Sequence, residues 1–177
     1  VYCDVYPYTA YNTSLSAVFL PPELLTYVIF NTDIGKRSNF ECSDEELNTL
    51  YDMSIRADLS NFHHFPTDCP HREKNGWTAD AAVSALHMLL NLECEDLLRE
   101  WMHSVCAAMA QDGAMQGCVP AAPELFYDAW NGPGWDCVIA ELPYRLMELR
   151  DDLRSVRLAA PFMIRYLLYT LTRRNER

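Results

Sequence analysis

The chain has 177 residues, half of them hydrophobic, and a formal charge of −11 at pH 7. This acidity argues against a nucleic-acid-binding surface, which needs a basic face, and against an anionic membrane surface. No apolar run reaches the ~18 residues that a membrane-spanning helix needs, because Arg165 interrupts the most apolar stretch, Leu158 to Leu171. We therefore expect a packed domain with neither a nucleic-acid nor a membrane partner.

Seven cysteines are scattered without paired spacing, so they do not predict a disulfide framework. Together with abundant Met and the lack of a visible signal peptide, they favour a reducing compartment, and we expect a cytoplasmic protein. The chain starts at Val1 rather than at an initiator Met, so we expect a fragment whose natural N-terminus is missing.

Residues 1–34 have the composition of β-strands. The segments Val1–Tyr6 and Tyr27–Phe30 are rich in β-branched and aromatic residues and are bounded by prolines. Two strands without partners are only marginally stable. The sequence therefore predicts that these strands belong to a larger sheet.

The rest of the chain predicts five helices. The first begins at Ser43, which forms a capping box with Glu46, and has apolar residues at helical spacing: Leu47, Leu50, Tyr51, Ile55, Leu59 and Phe62. The others cover about 78–91, 95–111, 135–149 and 152–172. The third has one apolar face, made of Leu98, Trp101, Met102, Val105 and Met109. Pro143 predicts a kink or a second helix start, and Pro161 predicts a kink. The long loop at 112–133 is expected to be functional.

The stretch from Asp68 to Asp80 carries the densest chemistry. Pro70 keeps its first half out of a helix, and Gly76 supplies a turn before the second helix. It carries the carboxylates of Asp68, Glu73 and Asp80, the guanidinium of Arg72 and the indole of Trp77. Acids beside a large aromatic ring suit acid/base chemistry on a sugar. The alternative is an acidic helix start with Trp77 in the core.

This run resembles the signature of the bacterial α-L-rhamnosidases of glycoside hydrolase family 78, Asp-Cys-Pro-x-Arg-Glu-x-x-Gly-Trp-x-x-Asp. The resemblance extends to Phe40–Asp44, Leu47–Asn48, Asn61, Pro66, Trp101, Asp112–Gly113, Val119–Pro120, Trp135–Asp136 and Pro143. Two positions depart from the pattern: Ala79 stands where the family usually has Gly, and His71 where Gln is common.

The resemblance implies a mostly α fold, a partial (α/α)6 barrel of helical hairpins preceded by the last strands of a β-sandwich domain. Residues 1–39 would be the C-terminal strands of that β-domain and a linker. Residues 40–177 would be the N-terminal half of the catalytic barrel.

The implied activity is hydrolysis of terminal non-reducing α-L-rhamnose from rhamnosides, by an inverting acid/base mechanism without cofactor or metal. Glu73 matches the general acid. The expected substrate-binding residues are Asp68, Arg72, Trp77, Asp80 and Trp135, and we expect the acids and Trp77 to converge on one cleft. The family's general base lies later in the barrel, so this chain alone is expected to be inactive. Further carboxylates on the stretch that approaches the pocket, none assigned as base, are Glu124, Asp128 and Asp136.

Two other functions are compatible with the residues. One is a non-catalytic sugar-binding module. The other is a zinc site at His63, His64, Cys69 and His71, although these residues have none of the recognised zinc-ligand spacings. Trp130 is an alternative to Trp135 as the second aromatic residue of the site.

Overall fold

The structure, a computed structural model, describes residues 31–70, 72–120 and 132–173. These residues form five helices and no strand. The helices are α1 (Glu45–Ser60), α2 (Thr78–Asn91), α3 (Glu95–Ala107), α4 (Val138–Arg150) and α5 (Leu153–Thr172). The mostly helical prediction is confirmed for this part of the chain.

The predicted strands Val1–Tyr6 and Tyr27–Phe30 lie outside the described residues. The last residues of the predicted β-region, 31–34, are described and form no strand. Backbone hydrogen bonds tie this segment and the residues just after it to the helical domain. Thr32 N donates to the Phe62 carbonyl at 2.9 Å, and Arg37 N donates to that of Asn91 at 2.7 Å. The backbone here thus bonds to the helical domain rather than to a neighbouring strand.

Helix boundaries follow the predictions with small corrections. α2 has the predicted bounds. The cap of α1 is Asp44 and not Ser43, because the Asp44 carboxylate accepts from the backbone N–H groups of Glu46 and Leu47 at 2.9 and 3.4 Å. α3 ends at Ala107, four residues early, and α4 starts at Val138, three residues late.

The two helix-interior prolines do not divide their helices. Pro143 lies within α4 and Pro161 within α5, and each helix continues on both sides. A second helix start at Pro143, one of its two predicted outcomes, is therefore wrong. Pro143 is buried in the core, so its ring contributes apolar contact that helps offset the missing backbone donor.

α4 is the centre of the domain and packs against α2, α3 and α5. On α2, three buried alanines, at positions 81, 82 and 85, lie on the packed face. α4 contributes larger side chains: Val138, Ile139, Leu142 and Leu146. The predicted apolar face of α3 is confirmed, since Leu98, Trp101, Met102, Val105 and Met109 are all buried.

α1 and α5 leave apolar side chains on the surface. The predicted apolar stripe of α1 is only partly buried: Ile55 and Phe62 lie in the core, whereas Leu47 and Leu50 are 48% and 58% exposed. The outer face of α5 exposes Ile164, Leu167, Leu168 and Leu171. Despite this apolar surface, no described helix is long and apolar enough to cross a membrane.

Candidate active site

The motif loop between α1 and α2 is closed by its own backbone and side chains. The amide of Asp68 donates to the Asn75 carbonyl, and the Asp68 carboxylate accepts from the Asn75 amide, both at 3.1 Å. Within the loop, the Cys69 sulfur accepts the backbone N–H of Glu73 at 3.2 Å. These bonds fix the backbone position from which the Glu73 side chain extends.

Gly76 joins this loop to a second one, residues 112–120. Its amide donates to the Pro120 carbonyl at 3.1 Å, and its carbonyl accepts from the Val119 amide at 2.7 Å. A Cβ added at Gly76 would fall onto the Val119 carbonyl group, far inside van der Waals contact. Glycine is therefore required here for the close approach of two backbones, rather than for an unusual φ.

The carbonyl of Gly117 connects the start of α2 to Trp135. It accepts from the backbone amide of Thr78 at 2.9 Å, from the Thr78 hydroxyl at 3.0 Å and from the Trp135 indole N–H at 3.2 Å. Thr78 is fully buried. The pairing of the motif loop with residues 112–120 thus also fixes Trp135, the second aromatic residue of the predicted site.

Glu73 and the two tryptophans form a continuous group. The Trp77 indole N–H donates to the Glu73 carboxylate at 2.6 Å. The rings of Trp77 and Trp135 meet edge to face, with centroids 5.3 Å apart and planes at 80°. This is the favourable geometry for two aromatic rings. The predicted acid is thus held against an aromatic wall.

The three carboxylates of the motif share one electrostatic environment. Loss of hydration raises the pKa of Asp80, its own backbone N–H opposes this, and the charges of Asp68 and Glu73 raise it further. Burial raises the pKa of the Cys118 thiol to about 12, with contributions from the same three carboxylates. The charges of Asp68 and Glu73 therefore act on Asp80.

A cleft of about 580 Å³ opens between α1 and α2. Of the predicted site residues, Asp68, Asp80 and Trp135 line it. Glu73 and Trp77 are not in its wall but adjoin it through the Trp77–Trp135 contact. Arg72 is exposed and forms no ion pair with Glu73. The structure thus brings the acids and aromatic rings to one region, and Arg72 does not line the cleft.

Residues 35–177 match the family model of the bacterial alpha-L-rhamnosidase six-hairpin glycosidase domain. The chain belongs to this family. The resemblance of the 68–80 motif to α-L-rhamnosidases is thereby confirmed, and the described helices are part of a six-hairpin glycosidase domain.

Individual α-L-rhamnosidases are similar over parts of the chain. Two from Formosa agariphila are 34% identical over 87 residues and 28% identical over 126, which is 49% and 71% of this chain but 9% and 13% of theirs. The structure of Streptomyces avermitilis α-L-rhamnosidase complexed with L-rhamnose has a TM-score of 0.77 and 27% identity. It covers 82% of this chain, which corresponds to 14% of that one. The chain thus spans a small part of each relative's length.

Two cleft residues of this glycosidase domain were not predicted. His87 and Asp58 line the cleft, and His87 Nδ1 lies 3.0 Å from a carboxylate oxygen of Asp58. The hydrogen bond that His87 donates to the Asp58 carboxylate raises the pKa of His87, although burial opposes it. Asp80, Ser84 and His87 are spaced i, i+4, i+7, so the predicted helix 78–91 already placed them on one face. No such spacing marks Asp58 in the sequence, because the residue that it bonds, His87, lies 29 residues away.

The remaining candidates are accounted for as far as they are described. No three His, Cys, Asp or Glu side chains group as metal ligands within the described residues, and His71 lies outside them. A ring nitrogen of His63 lies 3.0 Å from the Ser60 carbonyl oxygen. Asp136 is fully buried and accepts a hydrogen bond from the Tyr166 hydroxyl at 3.0 Å. Three other predicted candidates also lie outside the described residues: Glu124, Asp128 and Trp130.

Proposed function

We propose that the complete protein carrying this domain is a glycoside hydrolase that releases terminal non-reducing α-L-rhamnose from rhamnosides. The observation that carries this proposal is the 2.6 Å hydrogen bond from the Trp77 indole to Glu73, beside a cleft lined by Asp68 and Asp80. Family membership supports the substrate class, since curated relatives are α-L-rhamnosidases. One relative was solved with L-rhamnose bound.

The proposed roles follow from the geometry. Glu73 protonates the departing glycosidic oxygen, and the Trp77 N–H fixes which way its carboxyl group points. Asp68 and Asp80, on the cleft wall, accept hydrogen bonds from sugar hydroxyls. Trp77 and Trp135 offer the ring surface on which a sugar's apolar face packs. The exposed Arg72 supplies a further hydrogen-bond donor to the substrate.

An inverting reaction also needs a base on the opposite side of the sugar, with the two carboxyl groups roughly 6.5–9.5 Å apart to admit a water molecule. Asp136 does not suit this role, because it is fully buried and bonded to Tyr166. We propose that the base comes from a later part of the barrel, outside these 177 residues. The mechanism uses two carboxyl groups and requires neither cofactor nor metal.

The test is Glu73→Gln in the complete protein. Gln keeps the shape and still accepts the Trp77 N–H, but it cannot donate a proton as a carboxylic acid does. General acid catalysis is typically worth ~10²- to 10⁴-fold, so kcat/KM for a natural rhamnoside should fall by about that factor. An aryl rhamnoside with an activated leaving group should lose much less, since it needs little protonation. The matched control is Glu100→Gln, an exposed glutamate on α3.

Equal losses on the two substrates would show that Glu73 is not the general acid. Tight, specific rhamnose binding without hydrolysis by the wild-type protein would instead favour the non-catalytic sugar-binding module. Calorimetric titration with L-rhamnose, run beside the kinetic assay, separates these outcomes.

A further inference from the structure

Glu73, the proposed proton donor, is exposed, so packing does not hold its side chain in place. In the described part of the chain, two hydrogen bonds hold this residue. The Trp77 indole N–H donates to its carboxylate at 2.6 Å, and its own backbone N–H donates to the Cys69 sulfur at 3.2 Å. The first bond orients the carboxyl group, whereas the second fixes the backbone from which that group extends. The position of the acid therefore depends on Cys69 as well as on Trp77.

The backbone directly after Glu73 adopts an unfavourable conformation. Lys74 has a φ of 54°, in the left-handed region, which is sterically unfavourable for a residue with a Cβ. The turn at Lys74 lets the next residue, Asn75, pair with Asp68 through two hydrogen bonds of 3.1 Å. Such a conformation persists where the surrounding structure imposes it. The Cys69–Glu73 bond, inside the loop that this pair closes, therefore helps to hold a turn that local backbone preference disfavours.

Cys69 is itself restrained on both sides. Its neighbour Asp68 belongs to the closing pair with Asn75, and the ring of Pro70 keeps the Cys69 backbone out of helical conformations. Rotation about the Cα–Cβ bond is then the main freedom left to the sulfur. The acceptor is thus in place before a substrate binds, which is what a positioning contact requires.

We propose that Cys69 is a positioning residue for Glu73: its sulfur fixes the backbone of the acid, so that the carboxyl group meets the Trp77 indole and is directed at the glycosidic oxygen. The inference rests on the proposed function, in which Glu73 is the general acid, and adds to it the residue that sets the position of that acid. Cys69 contacts neither the substrate nor the reacting atoms.

The alternative is that Cys69 only packs as a small apolar residue. The two roles differ in which substrates a variant would affect. Loss of packing would weaken the loop for every substrate alike. Loss of the acid's position would affect most strongly those substrates whose leaving group needs a proton.

The test measures kcat/KM of the complete protein on the two substrates used for Glu73, a natural rhamnoside and an aryl rhamnoside with an activated leaving group. In Cys69→Ala, which removes the sulfur, the value for the natural rhamnoside should fall about tenfold, the size expected for one lost hydrogen bond. The aryl rhamnoside should lose less than about threefold, because it needs little protonation. Cys69→Ser keeps an acceptor on Cβ and should restore most of the loss.

Cys42→Ala is the matched control. Cys42 is half-buried like Cys69, but its thiol donates to the Asp44 carbonyl at 3.4 Å, at the start of α1 and outside the motif loop. This variant should leave both kcat/KM values at the wild-type level. Hydrogen exchange followed by mass spectrometry gives a readout besides activity. Peptides that include Glu73 should exchange faster than wild type in Cys69→Ala, and at about the wild-type rate in Cys69→Ser.

Equal losses on the two substrates in Cys69→Ala, or no loss on either, would overturn the positioning role while Glu73→Gln still behaves as a general-acid variant. If Cys69→Ala does not fold, the same two criteria apply to Cys69→Val, which fills the space without an acceptor and suits an extended backbone. Hydrolysis of neither substrate by the wild-type protein, or equal losses in Glu73→Gln, would instead overturn the proposed function, and this inference with it.

Discussion

Asp152 is expected to make the domain sensitive to acid. It caps α5 and is 4% exposed. Its carboxylate accepts hydrogen bonds from Arg99 Nε at 2.6 Å, from the Ser155 hydroxyl at 2.8 Å and from the Arg154 amide at 3.0 Å. Arg99 lies on α3, so this one carboxylate both starts α5 and joins it to a neighbouring helix.

The stabilisation can be worked out from its ionisation. Burial alone would raise the pKa of Asp152, but hydrogen bonds from Arg99 and Ser155 and the charge of Arg99 outweigh it and lower the pKa from 3.8 to about 2. At about 1.36 kcal/mol per pH unit, this corresponds to about 2 kcal/mol at neutral pH. Because the folded-state pKa is the lower one, the contribution is complete above about pH 4 and disappears as the pH falls through about 2.

The assay is urea denaturation of wild type and Asp152→Asn at pH 7 and pH 3. The amide keeps the cap but carries no charge. We expect Asp152→Asn to lower the free energy of unfolding by about 2 kcal/mol at pH 7, and by about 1 kcal/mol less than that at pH 3. Asp151→Asn, an exposed neighbour, should stay within about 0.5 kcal/mol of wild type at both pH values. An equal difference between wild type and Asp152→Asn at the two pH values would refute the electrostatic account.

Two further predictions concern the motif loop and the exposed helix face. Gly76→Ala should cost about 1–3 kcal/mol, because its methyl group would overlap the Val119 carbonyl, whereas Gly134→Ala, which meets no atom within 4 Å, should be nearly neutral in thermal unfolding. Equal stability of the two variants would mean that the loops separate freely. The isolated 177-residue chain should elute as more than a monomer and give no rhamnosidase turnover, and Leu167→Lys/Leu171→Lys should reduce the association. A monomeric, active wild-type chain would contradict this.

Local sequence signals predicted most of the helical scaffold. The start of α2 follows from Gly76, which ends the loop two residues before the helix. The buried face of α3 follows from its apolar spacing. The motif loop was also predictable in outline, because Pro70 and Gly76 exclude a continuous helix through it. These are features that a residue and its neighbours within a few turns determine.

Tertiary contacts explain what the sequence missed. The apolar spacing of α1 predicts burial of Leu47 and Leu50, yet both are exposed, since α1 does not pack extensively against the other described helices. Asp58 and His87 meet only because α1 and α2 lie side by side across the cleft. At the α1 start, Ser43 and Asp44 are both good caps by composition, and only the backbone geometry selects Asp44.

The loop at 112–120 has a structural role that its composition does not reveal. Its Gly117 carbonyl binds both the first residue of α2 and the Trp135 indole, and its Val119 and Pro120 backbone groups pair with Gly76. A shift of this loop would therefore move the aromatic wall and the motif carboxylates together. Geometry of this kind would suit the proposed acid, because a carboxyl group and an aromatic ring that move as a unit keep their relative position. The aromatic part of the candidate site thus depends on backbone atoms of residues 112–120.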